Sequence, residues 1–89
     1  MATQQPGRAH DVQDVRSLVG EVLEIAPDQI EEDLDFVEAY GVDSLRVIEL
    51  LAAVERKYRV VLPDEKVERL RTLRGVMDVV DEALAGGRA

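Results

Sequence analysis

Apolar residues recur at three- and four-residue steps in three stretches of this chain, which is the spacing of amphipathic α-helices. The first stretch follows Asp11, the second follows Asp43 and runs to about Tyr58, and the third follows Thr72 and stops at Gly86-Gly87. Aspartate and threonine cap helix N-termini, and glycine is favoured just beyond a C-terminus. The apolar stripes consist of Val12, Val15, Leu18, Val19 and Val22; of Val47, Leu50, Leu51, Val54 and Tyr58; and of Leu73, Val76, Met77, Val80 and Leu84. The pattern therefore predicts three longer helices.

The connection between the first two helices is long and acidic. Pro27 ends the first helix or begins a short turn over residues 28–30. Isolated apolar residues punctuate the rest of this connection, and we expect them to reach into the core: Ile30, Leu34, Phe36 and Val37.

A short apolar run at residues 60–62 ends at Pro63. It predicts an extended linker rather than a strand, because proline cannot donate to a sheet ladder. A brief third helix is predicted for residues 64–70, with Val67 and Leu70 facing inward.

The expected fold class is therefore all-α. It is a small four-helix bundle, with three longer helices, one short third helix and a long loop between helices 1 and 2. Residues 1–10 are expected to form a disordered N-terminal tail, residues 11–85 the folded domain, and residues 86–89 a flexible C-terminal tail.

Composition narrows the possible functions. The chain has 89 residues, no cysteine and a net charge of −8. This length suits one small domain, and the lack of cysteine excludes disulfides, thiolate metal sites and thiol chemistry by the chain itself. The negative charge argues against nucleic-acid binding. Without a long apolar run or a hydrophobic signal region, we expect a cytoplasmic protein that does not bind membranes, and the apolar stripes suffice for one monomeric core.

The negative charge is concentrated in one part of the sequence. Between Arg16 and Arg46 there is no basic residue and there are nine acids, namely Glu21, Glu24, Asp28, Glu31, Glu32, Asp33, Asp35, Glu38 and Asp43. A lobe of one sign would steer basic partners towards nearby residues. The alternative is that these acids only keep a small protein in solution.

Ser44 is the residue with the clearest chemical role. It opens the second helix in the sequence Tyr40-Gly41-Val42-Asp43-Ser44-Leu45. The N-terminus of a helix favours negative charge, so a phosphate ester on this serine would be well placed. The single histidine, His10, lies in the N-terminal tail, so a general base for a serine hydrolase is not evident. The pattern indicates a modification site rather than a catalytic nucleophile.

In these features the chain resembles the acyl carrier proteins. The likeness covers roughly residues 11–85, in the order and spacing of that family. It is carried by Gly41-Val42-Asp43-Ser44-Leu45, Ile48-Glu49-Leu50, the helix end from Glu55 to Tyr58, Leu62-Pro63-Asp64-Glu65 and Thr72-Leu73.

The resemblance implies a carrier without catalytic activity. Ser44 would receive 4′-phosphopantetheine from coenzyme A through a magnesium-dependent phosphopantetheinyl transferase. The thiol of this arm would carry acyl groups as thioesters to acyl-loading, condensing and modifying enzymes. A chain with no thiol of its own needs such an imported group.

The resemblance also assigns roles to the neighbours of Ser44. Asp43 would help the transferase to hold its metal and coenzyme A, or would simply cap the helix. Gly41 would supply the backbone freedom that brings Ser44 out of the bundle, or would be an ordinary loop glycine. Tyr40 would pack over the loop or contact the arm.

A partner-binding face is expected along the second helix. Leu45, Ile48 and Ala52 would meet partner enzymes or guard an acyl cavity, with core packing as the alternative. Glu49 and Glu55 match acids that carriers offer to basic partners, although exposed helix acids usually contribute little.

Arg46 departs from the family pattern, since fatty-acid carriers usually have an acid at this position. Arg56, Lys57 and Arg59 further dilute the acidity of the helix. The mixed charge favours dedicated partners of polyketide or other specialised biosynthesis. If so, Arg46→Asp should improve docking on fatty-acid enzymes.

Other functions remain open from the sequence. An aminoacyl or peptidyl carrier shares the arm and the bundle. An unmodified acidic helical module would bind basic partners and use Ser44 only as a cap. A calcium site formed by Glu31, Glu32, Asp33 and Asp35 is disfavoured, because the run lacks alternating ligands and a central glycine.

Overall fold

The computed structural model describes residues 12–86. In chain order it contains α1 (Val12–Leu23), a 3₁₀ turn (Pro27–Gln29), α2 (Phe36–Tyr40), α3 (Ser44–Tyr58), a 3₁₀ helix (Asp64–Arg71) and α4 (Leu73–Gly86). No strand occurs in this range. None of the helices there has the length and apolarity that crossing a membrane requires. The all-helical prediction is confirmed, whereas the Asp11 cap and the tail at residues 1–10 lie outside the described residues, as does the C-terminal tail beyond Gly86.

The core is aliphatic apart from Phe36, and all three longer helices contribute to it. The predicted stripes supply most of it, and they are joined by residues from the loops and the 3₁₀ helix. Its buried members are Val15, Val19, Leu23, Ile30, Phe36, Val42, Val47, Leu50, Leu51, Val54, Leu62, Leu70, Leu73, Val76, Val79 and Val80.

The long loop contains a helix that the sequence pattern did not predict. Asp35 caps α2, because its Oδ1 accepts hydrogen bonds from the N–H groups of Val37 at 2.8 Å and Glu38 at 3.1 Å. The next residue, Phe36, is fully buried, as expected. Leu34 is 41% exposed, so its predicted burial is wrong. It precedes the cap, and the turn that directs Phe36 inward leaves Leu34 at the surface.

The short third helix is a 3₁₀ helix one residue longer than predicted. Leu70 is fully buried and Val67 is partly buried. Before it, residues 60–62 form the expected extended linker. The Oε2 atom of Glu55 accepts a hydrogen bond from the N–H of Leu62 at 2.7 Å and so holds the linker against α3.

Glu82 on α4 is clamped to the 3₁₀ helix by Arg69. The Nη1 and Nη2 atoms of Arg69 each lie 2.8 Å from one of its carboxylate oxygens. Hydrogen bonding from Arg69 lowers the pKa of Glu82 to about 2 from an ordinary value of 4.5. Because the folded-state pKa is depressed, the clamp stabilises the fold fully above pH 4.5 and is lost as the pH falls through about 2.

Replacing Glu82 with glutamine is expected to lower the melting temperature slightly at pH 7, since partly exposed ion pairs contribute little. The difference from the wild type should shrink below pH 4.5 and disappear near pH 2. Thermal melts followed by circular dichroism across this range measure it, with Glu65→Gln as an exposed control on the same 3₁₀ helix. A difference that persists at the acid end would contradict the assignment.

Candidate functional site

The turn between α2 and α3 positions Ser44. Gly41 has a φ of +70° and ends α2, and its N–H donates to the carbonyls of Phe36 and Val37. Left-handed backbone is strained for residues that carry a Cβ atom, so glycine fits here. The N–H of Val42 also donates to the Phe36 carbonyl at 3.3 Å, and the Val42 side chain is buried. The chain therefore enters α3 from a fixed direction.

Ser44 is the first residue of α3 and is exposed. Asp43 is the N-cap, with its Oδ1 accepting a hydrogen bond from the Leu45 N–H at 3.2 Å. Among the described residues, none forms a hydrogen bond with the Ser44 hydroxyl. An accessible hydroxyl at the N-terminus of a 15-residue helix suits attachment of a phosphate ester. Residues 12–86 contain no histidine that could act as a general base for Ser44.

Tyr40 packs over the loop, which was one of its two expected roles, and contact with the arm stays a prediction. Its hydroxyl donates to the Gln29 carbonyl and accepts from the Glu31 N–H, both at 2.9 Å. Its ring centroid lies 6.4 Å from that of Phe36. Tyr40 thus links the 3₁₀ turn after α1 to α2.

Two apolar side chains next to Ser44 face solvent. Leu45 is 63% exposed and Ile48 is 51% exposed, so core packing does not explain either of them. At 100° per residue, Ser44, Ile48 and Ala52 share one side of α3, and Ala52 is partly buried. Glu49 is exposed. Partner binding by this face stays a prediction, and the exposure of its apolar members is compatible with it.

Arg46 and Glu55 have partners within the chain. The Nη1 of Arg46 donates to the Val22 carbonyl at 3.1 Å, and its guanidinium lies 3.2 Å from Glu24 and 3.7 Å from Glu49. Glu55 is partly buried and bound to the linker. Their predicted partner contacts must compete with these interactions. The sequence pattern did not point to Glu24, which lies 22 positions before Arg46.

The acidic segment is partly neutralised by arginines in the fold, and the steering of basic partners stays a prediction. Arginines from other parts of the chain pair with five of its nine acids, namely Glu24, Glu32, Asp33, Asp35 and Glu38. A hydrogen bond from Arg74 at 2.6 Å holds the pKa of Asp33 below its usual value. Burial raises the pKa of Asp35, but hydrogen bonds from the Glu38 N–H and Arg71 outweigh it and the pKa is lowered.

These ion pairs also disfavour the calcium site. The carboxylates of Glu32, Asp33 and Asp35 face guanidinium groups. Within residues 12–86, no group of three or more histidine, aspartate or glutamate side chains is arranged to hold a metal ion.

Comparison with known proteins identifies the family. The family profile described as the phosphopantetheine attachment site matches residues 13–80. A protein from Sulfurovum sp. (strain NBC37-1) named acyl carrier protein is 38% identical over 68 residues, which cover 76% of this chain and 91% of that protein. The chain belongs to the acyl carrier protein family.

Other carriers resemble this one in sequence and in fold. Polyketide-8 synthase acyl carrier protein 1 from Streptomyces avermitilis is 41% identical over 71 residues, covering 80% of this chain and 84% of that protein. The solution structure of the oxytetracycline acyl carrier protein superposes with a TM-score of 0.70 at 27% identity, covering 90% of this chain and 87% of that one.

Membership settles the class of activity. Acyl carrier proteins are carriers rather than enzymes, and 4′-phosphopantetheine is the group that is attached to members of the matched family. Its terminal thiol supplies the carrying function that this chain, without cysteine, does not have. As a family they interact with a phosphopantetheinyl transferase and with biosynthetic enzymes.

Proposed function

We propose that this carrier bears 4′-phosphopantetheine on the hydroxyl of Ser44 and carries acyl intermediates on it as thioesters. The observation that supports the proposal most strongly is the position of Ser44: it is exposed, it is the first residue of α3, and it follows the N-cap Asp43. The chain has one other serine, Ser17, which lies within α1 rather than at a helix N-terminus.

Each neighbour has a defined part in this proposal. Gly41 sets the direction in which the chain leaves α2 towards Ser44, and the N-terminus of α3 favours the phosphate. Asp43 holds the first turn of α3 closed and presents a carboxylate beside Ser44, where it would meet the metal and coenzyme A of the transferase. The exposed Leu45 and Ile48 would then contact partner enzymes.

Intact mass tests the proposal directly. The protein is incubated with coenzyme A, magnesium and a broad-specificity phosphopantetheinyl transferase. Wild type and Ser17→Ala should each gain one phosphopantetheine, whereas Ser44→Ala should gain none. If folded wild type gains nothing while a control carrier is modified, Ser44 is only the first residue of α3, and the unmodified interaction module becomes the better account.

We further propose that the pathway is polyketide or other specialised biosynthesis. Support comes from the relative named for a polyketide synthase, from the fold match to the oxytetracycline carrier, and from the basic residues at the end of α3. Relatives named simply acyl carrier protein match as well. The pathway must therefore be tested by measuring which enzymes accept this carrier. An adenylating enzyme that loads an amino acid onto the thiol would instead favour an aminoacyl carrier.

The structure changes how the charge of α3 should be tested. Arg46→Asp would remove the guanidinium that bonds the Val22 carbonyl and pairs with Glu24 and Glu49, so it would disturb the fold as well as the surface. Arg56 is exposed and is the better position. Arg56→Glu is expected to raise turnover by fatty-acid condensing enzymes and to lower it with polyketide condensing enzymes. Unchanged turnover with both would count against the role of charge.

A further inference from the structure

We infer that Arg46 is a positioning residue that ties the first turn of α3, and with it Ser44, to the end of α1. The inference rests on the proposed modification of Ser44. It replaces the expectation that Arg46 is a partner contact with a role inside the carrier.

The end of α1 needs such a partner. The last four carbonyls of a helix have no intrahelical donor, and Val22 supplies one of those four in α1. Another, the Gly20 carbonyl, accepts a hydrogen bond from the Ile25 N–H at 3.0 Å, in a turn closed by Glu24 with a φ of +61°. The Val22 carbonyl is satisfied from α3, by Arg46 Nη1 at 3.1 Å.

Arg46 makes two kinds of contact, and they differ in strength. The ion pair with Glu24 joins side chains that are 42% and 70% exposed, and such pairs contribute little on their own. The hydrogen bond to Val22 is partly buried and places a guanidinium at a helix C-terminus, where positive charge is favoured. The carbonyl contact therefore anchors the side chain, and Glu24 helps to orient it.

The position of Arg46 gives this anchor a functional consequence. Arg46 is two residues after Ser44, in the first turn of α3, and the Val22 carbonyl is 24 positions away in sequence. The same end of α3 is also held by the Asp43 cap and by the buried side chains of Val42 and Val47. Loss of Arg46 should leave the core intact but let the first turn fray, so that Ser44 is presented in more orientations. Transfer to a poorly oriented hydroxyl is slower, because reaction rates depend steeply on alignment.

Kinetics separate positioning from direct contact. Arg46→Met is compared with Arg56→Met, which removes the same charge from the same helix at an exposed residue that has no ion pair among the described residues. Modification by the broad-specificity transferase with coenzyme A and magnesium is followed by intact mass at varied carrier concentration. Arg46→Met should lower kcat roughly three- to ten-fold with KM within about two-fold. Arg56→Met should leave kcat unchanged, and Arg46→Lys should recover part of the loss.

A second variant and a second readout complete the test. Glu24→Gln leaves α3 untouched and should reproduce part of the kcat loss. Amide exchange of residues 47–50, whose N–H groups donate to the carbonyls of the first turn of α3, should be faster in Arg46→Met than in Arg56→Met. A raised KM with unchanged kcat would make Arg46 a direct contact, and equal behaviour of the two methionine variants would overturn the inference. If wild type is not modified at all, the proposed function fails. The amide-exchange comparison still tests whether Arg46 holds the first turn of α3.

Discussion

Gly75→Ala is expected to lower the free energy of unfolding by about 3 kcal/mol or more, because the added methyl group would overlap with backbone atoms. A Cβ atom on Gly75 would lie 1.8 Å from the carbonyl oxygen of Arg69 and 3.1 Å from Thr72 Oγ1. The Arg69 carbonyl belongs to the backbone of the 3₁₀ helix, so no side-chain rotation relieves the overlap. The 3₁₀ helix must move away from α4, and Leu70 is pulled from the core.

Urea unfolding at pH 7 measures this effect, and Gly41→Ala provides the matched control. Gly41 has no atom within 4 Å of its added Cβ, but its φ of +70° is unfavourable for alanine, so a loss of about 1 kcal/mol is expected there. The two variants separate steric overlap from backbone strain. If Gly75→Ala costs no more than Gly41→Ala, the 3₁₀ helix moves easily and its contact with α4 is not tight.

Phe36→Ala is expected to cost about 3–5 kcal/mol, the usual range for removing a buried aromatic ring. Phe36 is fully buried, and its ring fills space that an alanine side chain would leave empty. Small domains have total stabilities near the low end of 5–15 kcal/mol, so a large unfolded fraction should be present without denaturant. The Phe36 carbonyl also accepts hydrogen bonds from the N–H groups of Gly41 and Val42, so disorder of α2 would extend to the turn before Ser44.

Leu34→Ala is the control for Phe36→Ala. Leu34 is two positions earlier and 41% exposed, so its truncation should change stability only slightly. Urea unfolding gives the free energies, and circular dichroism without denaturant gives the unfolded fraction. Similar losses for the two variants would mean that both residues share the core, as the sequence pattern alone suggested. Phe36→Leu should keep the protein folded if Phe36→Ala does not.

The longer helices were predictable because their signals are local. Their apolar spacing persists over three or more turns, and two of the three predicted caps are confirmed. Asp43 Oδ1 accepts from the Leu45 N–H, and Thr72 Oγ1 accepts from the Gly75 N–H at 3.0 Å. The five-residue α2 is too short to show a period, and it depends on the cap by Asp35 and on burial of Phe36. The close approach of residues 64–71 to Gly75 arises from packing between segments, which no spacing rule contains.

The features of the candidate site also differ in whether the sequence could predict them. Ser44 at a helix start and Gly41 at a turn follow from local rules, and the structure places both in such positions. The contacts of Arg46 with α1 and of Glu55 with the linker arise from the packing of segments, so spacing along one helix did not predict them. The net charge of the acidic segment was an incomplete guide for the same reason. Arg71 and Arg74 are distant from its acids in sequence but form ion pairs with them in the fold.

The pairing of the acidic loop with Arg71 and Arg74 affects how this protein is made. Asp35 is separated from Arg71 by 36 positions, and Asp33 from Arg74 by 41. A ribosome releases the loop first, and its carboxylates repel one another until the arginines follow. The part of the core that α4 supplies is missing during the same interval. The region around Ser44 therefore reaches its final arrangement only after α4 has been synthesised, and a transferase meets the finished surface only then.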